Sequence, residues 1–226
     1  WQQWRWGLKF LAQCNDAAFE RNVQQLVALG AYSHRALKEL VRSTGIEYHR
    51  LERGIAHFYA DQKSFDDAGL AVELMRKHGV QRRLVTRDEL LKIEPAFRAY
   101  GDRIVGGTYT STDESGDARA FTEQLAERCA ARGVQFLYGH DVLRLNKVGG
   151  AIESVAVRAN RPDAAGQKDQ ILQGDAIVVA CGSYSAPLLR SVGVDLPIYP
   201  GKGYSATFPI LRPEAAPTVS ALDDGR

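Results

Sequence analysis

The chain has 226 residues, 45% of them hydrophobic and 25% charged, with a formal net charge of +2, so it can bury a sizeable core as one large domain or two small ones. Acids and bases are interspersed, which argues against a nucleic-acid partner, and no apolar run approaches the roughly 20 residues that span a bilayer. The cysteines Cys14, Cys129 and Cys181 are scattered and form no CxxC pair, the pattern of reduced thiols in a cytosolic setting rather than a disulfide frame or zinc site.

Residues 1–44 read as helical. Trp4, Leu8 and Leu11 share one face, and Phe19, Val23, Leu26, Val27 and Gly30 continue at helical spacing. Asn15 or Asp16 caps a second helix, which ends at Gly45. The Trp1, Trp4 and Trp6 cluster has the spacing of a helix edge and is expected to pack. Residues 54–59 read as a strand. Ser64 with Asp67 forms a capping box for a helix that buries Leu70, Leu74 and Met75. Thr86 with Glu89 forms another, stopped at Glu94-Pro95. Residues 104–110 read as a strand.

Asp117 caps a helix with Phe121, Leu125 and Cys129 on one face, ended by Gly133. Val134–Tyr138 reads as a strand. A three-strand meander follows over Val142–Leu145, Ile152–Val157 and Gln170–Leu172. Its turns fall at Gly149-Gly150 and in the polar segment Asn160–Lys168. Ile177–Ala180 is a continuous apolar run, as in a strand buried on both faces of a parallel sheet. After Pro197 the chain turns extended.

The chemical signal lies at Ile177–Ser183, where an apolar strand ends at a glycine and a helix begins. Backbone N–H groups there favour anionic ligands, and glycine admits close approach. A plain strand-to-helix turn accounts for the same residues. There is no G-x-G-x-x-G after a strand and no P-loop. The carboxylates Asp113, Glu114 and Asp117 read as a turn leading into a helix cap, with no metal site. His34, His49, His57, His78 and His140 are scattered, without a catalytic partner in view.

Two stretches carry a family resemblance: DESGDARAFTEQLAERCAARGVQF, residues 113–136, and AIVVACGSYSAPLLRSVGVDLPIYPGKGYSATFPI, residues 176–210. With them the chain resembles the D-amino acid dehydrogenase branch of the D-amino acid oxidase-like, FAD-dependent oxidoreductases. That resemblance implies a mixed α/β fold, a partial Rossmann-type FAD domain plus a mixed-sheet substrate domain, interleaved in sequence. Residues 111–196 would belong to the FAD domain, and residues 1–110 and 197–226 to the substrate domain. It implies FAD, with Val142 at the adenine part and Ala180, Cys181 and Gly182 beside the diphosphate and ribityl part. Tyr204 and Lys202 are the catalytic candidates, weighed against plain strand residues.

The implied reaction is oxidative deamination of a D-amino acid, with electrons passed to a respiratory-chain acceptor. The alternatives are a glycine- or sarcosine-type amine oxidase and a non-catalytic module. The chain opens on Trp1 and closes at Arg226 without a natural boundary. It is therefore expected to be an internal fragment that does not bind FAD fully, is inactive alone and self-associates through open strand edges. Its expected location is the cytoplasm, with peripheral docking at the inner membrane left open.

Overall fold

The computed structural model describes residues 1–161 and 168–223. The fold is mixed α/β and divides into two compact units, each assembled from two stretches of sequence. One comprises Asn15–Gly133 and the chain from Ala206 onward; the other comprises Trp1–Cys14 and Val134–Ser205.

The larger unit begins with helix α2 (Asp16–Thr44), following α1 (Gln2–Leu11) of the other unit. Asn15 is the cap of α2, its side chain accepting from Ala18 N at 3.0 Å, and Gly45 closes the helix in the left-handed region. Four strands form one sheet in the order β2 (Arg82–Thr86), β3 (Gly106–Thr110), β1 (Ile55–Tyr59), β7 (Ser220–Asp223). β1 and β2 are antiparallel to β3, whereas β7 joins β1 in parallel. On one face, Ala56, Val85, Leu90, Ile104 and Val219 form the core, with Phe58, Ile93, Phe97 and Tyr109 packed around them. Leu90 comes from α4 (Arg87–Ile93), whose cap is Thr86 as the sequence predicts.

Helix α3 (Gln62–Lys77) starts earlier than expected. Its cap is Asp61, whose carboxylate accepts from Ser64 N at 2.8 Å, so Ser64 lies inside the first turn. Its buried residues are Ala68 and Val72. Leu74 and Met75 are half-buried, and Leu70 faces solvent. The 3₁₀ turn Pro95–Arg103 and strands β2 and β7 have no counterpart in the sequence reading.

Two polar devices bind this unit. Glu94 is 1% exposed. Its Oε2 accepts from Thr218 N at 2.6 Å, Thr218 Oγ1 at 3.2 Å and Val219 N at 2.8 Å, and its Oε1 accepts from Ala96 N at 3.0 Å. Burial pushes this carboxyl upward, but the hydrogen bonds outweigh it and hold the group below its ordinary value. The second device ties residues 48–54 to 113–117. Leu51 and Ser115 exchange two backbone bonds, and Asp117 N donates to Tyr48 O. Burial and the nearby Glu114 charge raise the Tyr48 phenol. Asp117 then caps α5 (Ala118–Ala130), accepting from Arg119 N and Ala120 N. Asp117 therefore serves the cap and Glu114 the Tyr48 contact.

The smaller unit contains the expected meander, β4 (His140–Val148), β5 (Ala151–Ala159) and β6 (Gln170–Gln173), antiparallel in that order. The first turn falls at Gly149-Gly150; most of the second lies outside the described residues. Asp169 accepts from Arg144 at 2.8 Å and from Arg158 at 2.6 Å, tying the three strands on one side.

Two strand expectations fail. Val134–Tyr138 and Ile177–Ala180 join no ladder among the described residues, and Val178 is 87% exposed. A strand needs a hydrogen-bonded neighbour, and an apolar run cannot supply one by itself. The expected divisions at 110/111 and 196/197 also differ from the unit boundaries. α1 belongs with residues 134–205 because Arg5 and Lys9 bind Asp195. α5 belongs with residues 45–48, through Gln124 to Glu47 O, Arg128 to Gly45 O and Phe121 against the Tyr48 ring.

Candidate cofactor site

The residues singled out for a cofactor lie in the smaller unit. Ala180 and Cys181 end the apolar run, and Gly182–Tyr184 forms one 3₁₀ turn before α6 (Ser185–Arg190). The turn is locked locally: Cys181 N donates to Ser185 Oγ at 3.1 Å, and Tyr184 N donates to Cys181 O at 3.0 Å. Ser185 and Ala186 are buried, and α6 packs against β4, the strand that carries Val142. Ala180, Cys181, Gly182 and Val142 are all exposed.

Gly182 has φ +53°, and nothing lies within 4 Å of where a Cβ would stand. The glycine is thus required by backbone conformation and not by crowding, since other residues occupy this region only at a cost.

Next to this turn is a cleft of about 450 Å³ between α1 and residues 183–200. Ser183 and Tyr184 line it directly after the candidate residues, which do not themselves line it. Its cations are Arg5, Lys9 and Arg190, and its one carboxylate is Asp195. Lys9 Nζ and Arg5 Nη2 approach the same Asp195 oxygen at 3.0 and 3.3 Å. The Lys9 hydrogen bond and charge, followed by the charges of Arg5 and Arg190, hold the Asp195 carboxyl below its ordinary value. Trp6 stacks on Phe10 at 5.2 Å and tilts against Tyr199 at 5.7 Å.

The sequence reading missed this clamp. Arg5 and Lys9 do stand one helical turn apart, the one local sign that they share a partner. Of the three tryptophans expected to pack, Trp6 does so, while Trp1 and Trp4 face solvent.

Lys202 and Tyr204 stand apart from the cleft lining. Lys202 Nζ sits 5.4 Å from the Tyr204 ring centroid, and Tyr204 is 88% exposed. Residues 200–210 form no strand. The pair is a cation–π contact on an open segment. Both side chains are free to meet a ligand, with no hydrogen bond presetting their direction among the described residues.

A family model described as FAD dependent oxidoreductase matches residues 3–226. The chain is 45% identical over 99% of its length to a D-amino acid dehydrogenase of Dechloromonas aromatica, covering 52% of that protein. It is 39% identical over 98% of its length to a D-amino acid dehydrogenase of Paramagnetospirillum magneticum, covering 50%. It therefore spans about half the length of the curated relatives it matches. Among solved structures, glycine oxidase from Geobacillus kaustophilus matches with a TM-score of 0.57 at 22% identity, over 74% of this chain and 42% of that one. L-amino acid deaminase from Proteus myxofaciens matches with a TM-score of 0.59 at 19% identity, over 74% and 35%. These two likenesses concern the fold alone. The chain belongs to the FAD-dependent oxidoreductase family.

Proposed function

We propose that this member of the FAD-dependent oxidoreductase family is one half of a dehydrogenase that deaminates D-amino acids of the D-alanine type. The single observation that carries the reading is 45% identity, sustained over 99% of the chain, to a D-amino acid dehydrogenase. In balance, the D-amino acid, water and an oxidised acceptor give the 2-oxo acid, ammonia and the reduced acceptor, which we take to belong to the respiratory chain. FAD, when bound, supplies the acceptor for the hydride that leaves the substrate α-carbon.

In this reading the smaller unit is the flavin side. Val142 and Ala180–Gly182 lie along the cofactor, and the unladdered runs 134–138 and 177–180 pair with strands of the longer protein. The larger unit is the substrate side, an arrangement that departs from the sequence division by moving residues 1–14, 111–133 and 197–205. Lys202 and Tyr204, on an exposed segment of the smaller unit, orient the substrate: the ammonium attracts its carboxylate, and the phenol offers a hydrogen bond.

The test is dye-coupled turnover. The full-length parent is expected to oxidise D-alanine faster than glycine or sarcosine. The 226-residue chain is expected to purify without stoichiometric FAD and without activity. A parent that prefers glycine or sarcosine overturns the substrate assignment. A yellow chain that turns over D-alanine alone overturns the half-site reading.

A further inference from the structure

We propose that the N-terminal half of α2 is the seat of an apolar element from the remaining half of the parent protein, an inference that rests on the half-enzyme reading. Phe19, Val23, Leu26, Gly30, Leu37 and Val41 follow at spacings of four, three, four, seven and four, so they share one face of this 29-residue helix. That face is covered along its second half only. Leu37 and Val41 are half-buried, and the end of the helix is tied to its unit by Lys38 on Glu52 and by Arg128 on Gly45 O. Along the first half, Phe19 is 57% and Leu26 68% exposed, with Leu29 64% exposed beside them. One stripe therefore runs from a packed surface onto an open one.

Surface area selects the occupant. A folded protein of 24.9 kDa exposes about 10,000 Å² as one domain, and about 12,000 Å² as two separate units of these sizes. This chain exposes 16832 Å². The surplus, on the order of 4,500 Å², exceeds the roughly 1,000–2,500 Å² that each partner buries in an obligate dimer. A second copy is too small a cover. A comparable length of further chain is not, and this chain spans 52% and 50% of the two dehydrogenases it matches. Lipid is the wrong occupant for this stripe. Residues 16–33 carry only Asp16, Glu20 and Arg21 as charged side chains, so no cationic excess draws the helix to an anionic surface. An uncharged face of Phe, Val and Leu is matched by another apolar protein surface.

The test is thiol labelling of Leu26→Cys, read at that residue by peptide mass mapping so that the native cysteines do not interfere. In the 226-residue chain the new thiol lies on an exposed face and labels fast. In the full-length parent its labelling is expected to slow at least about tenfold. Ala28→Cys, exposed and about 200° around the helix from Leu26, is expected to label at similar rates in both. The double variant Phe19→Ser/Leu29→Ser gives a second readout: the urea midpoint of the parent falls while that of the chain hardly moves. Equal labelling of Leu26→Cys in chain and parent overturns the proposal, as does equal protection at positions 26 and 28 in the parent. Protection in the isolated chain that grows with concentration assigns the stripe to a second copy, and protection that needs phosphatidylglycerol vesicles assigns it to lipid; either result overturns the proposal too. Dye-coupled oxidation of D-alanine by the unaltered parent keeps the two readings apart. An active parent with position 26 unprotected removes the seat alone, and an inactive parent with position 26 protected removes the catalytic reading alone.

Discussion

Replacing Glu94 by Ala should loosen the attachment of residues 218–223 to the sheet of the larger unit. In the native chain the carboxylate accepts four hydrogen bonds, three of them from backbone N–H groups of Ala96, Thr218 and Val219. Alanine leaves those three donors without their acceptor, in a pocket that is 1% exposed at Glu94. An unmet buried donor costs about 1–3 kcal/mol, and water entering the vacated space recovers part of it. We therefore expect a loss of about 3–5 kcal/mol in urea unfolding. Gln keeps one acceptor oxygen but turns an N–H₂ toward N–H donors, so Glu94→Gln should also destabilise. The depressed carboxyl sets the sign with pH. The stability it provides is full above the unfolded carboxylate value of about 4.3 and is lost as pH falls through its lower folded value. The gap between native chain and variant should therefore narrow in acid. Limited proteolysis should cut near 212–220 first in Glu94→Ala. A variant within about 0.5 kcal/mol of the native chain at neutral pH, with unchanged proteolysis, would refute the clasp.

Gly116→Ala should destabilise the larger unit by about 1–3 kcal/mol, because the new Cβ would lie 2.5 Å from carbons of the Tyr48 ring; thermal unfolding by circular dichroism measures it. Asp195→Asn should free α1 from its seat and shift the Trp6 environment, read as a red-shifted fluorescence maximum. Because the Asp195 carboxyl is depressed by Lys9 and Arg5, the native contact should hold above the ordinary carboxylate range and fade as pH falls through the folded value. High salt should weaken it also. The unladdered runs 134–138 and 177–180 should drive concentration-dependent association of the isolated chain, measured by light scattering; a clean monomer at high concentration would remove that expectation.

What the sequence by itself determined about this protein is local. The caps at Asn15, Thr86 and Asp117 were legible because a capping side chain meets an N–H only two or three residues ahead. The meander was legible because antiparallel neighbours joined by short turns are neighbours in sequence. The motif at residues 176–210 pointed to the family for the same reason, since residue order alone carries it. Tertiary structure decided everything that joins distant segments. Glu94 meets Val219 across 125 positions, and Arg5 meets Asp195 across 190; no periodicity records such partners. β7 is four residues long and gains its strand character from pairing with β1. The apolar run at 177–180 shows the converse, a strand-like sequence without a ladder. The same limit holds for Trp4 and Leu70: spacing tells that a helix has an apolar face, but only the packed chain tells whether anything covers it. The physical reason is that propensity and capping act over one turn of backbone, whereas burial, strand pairing and charge clamps depend on which segments meet in space.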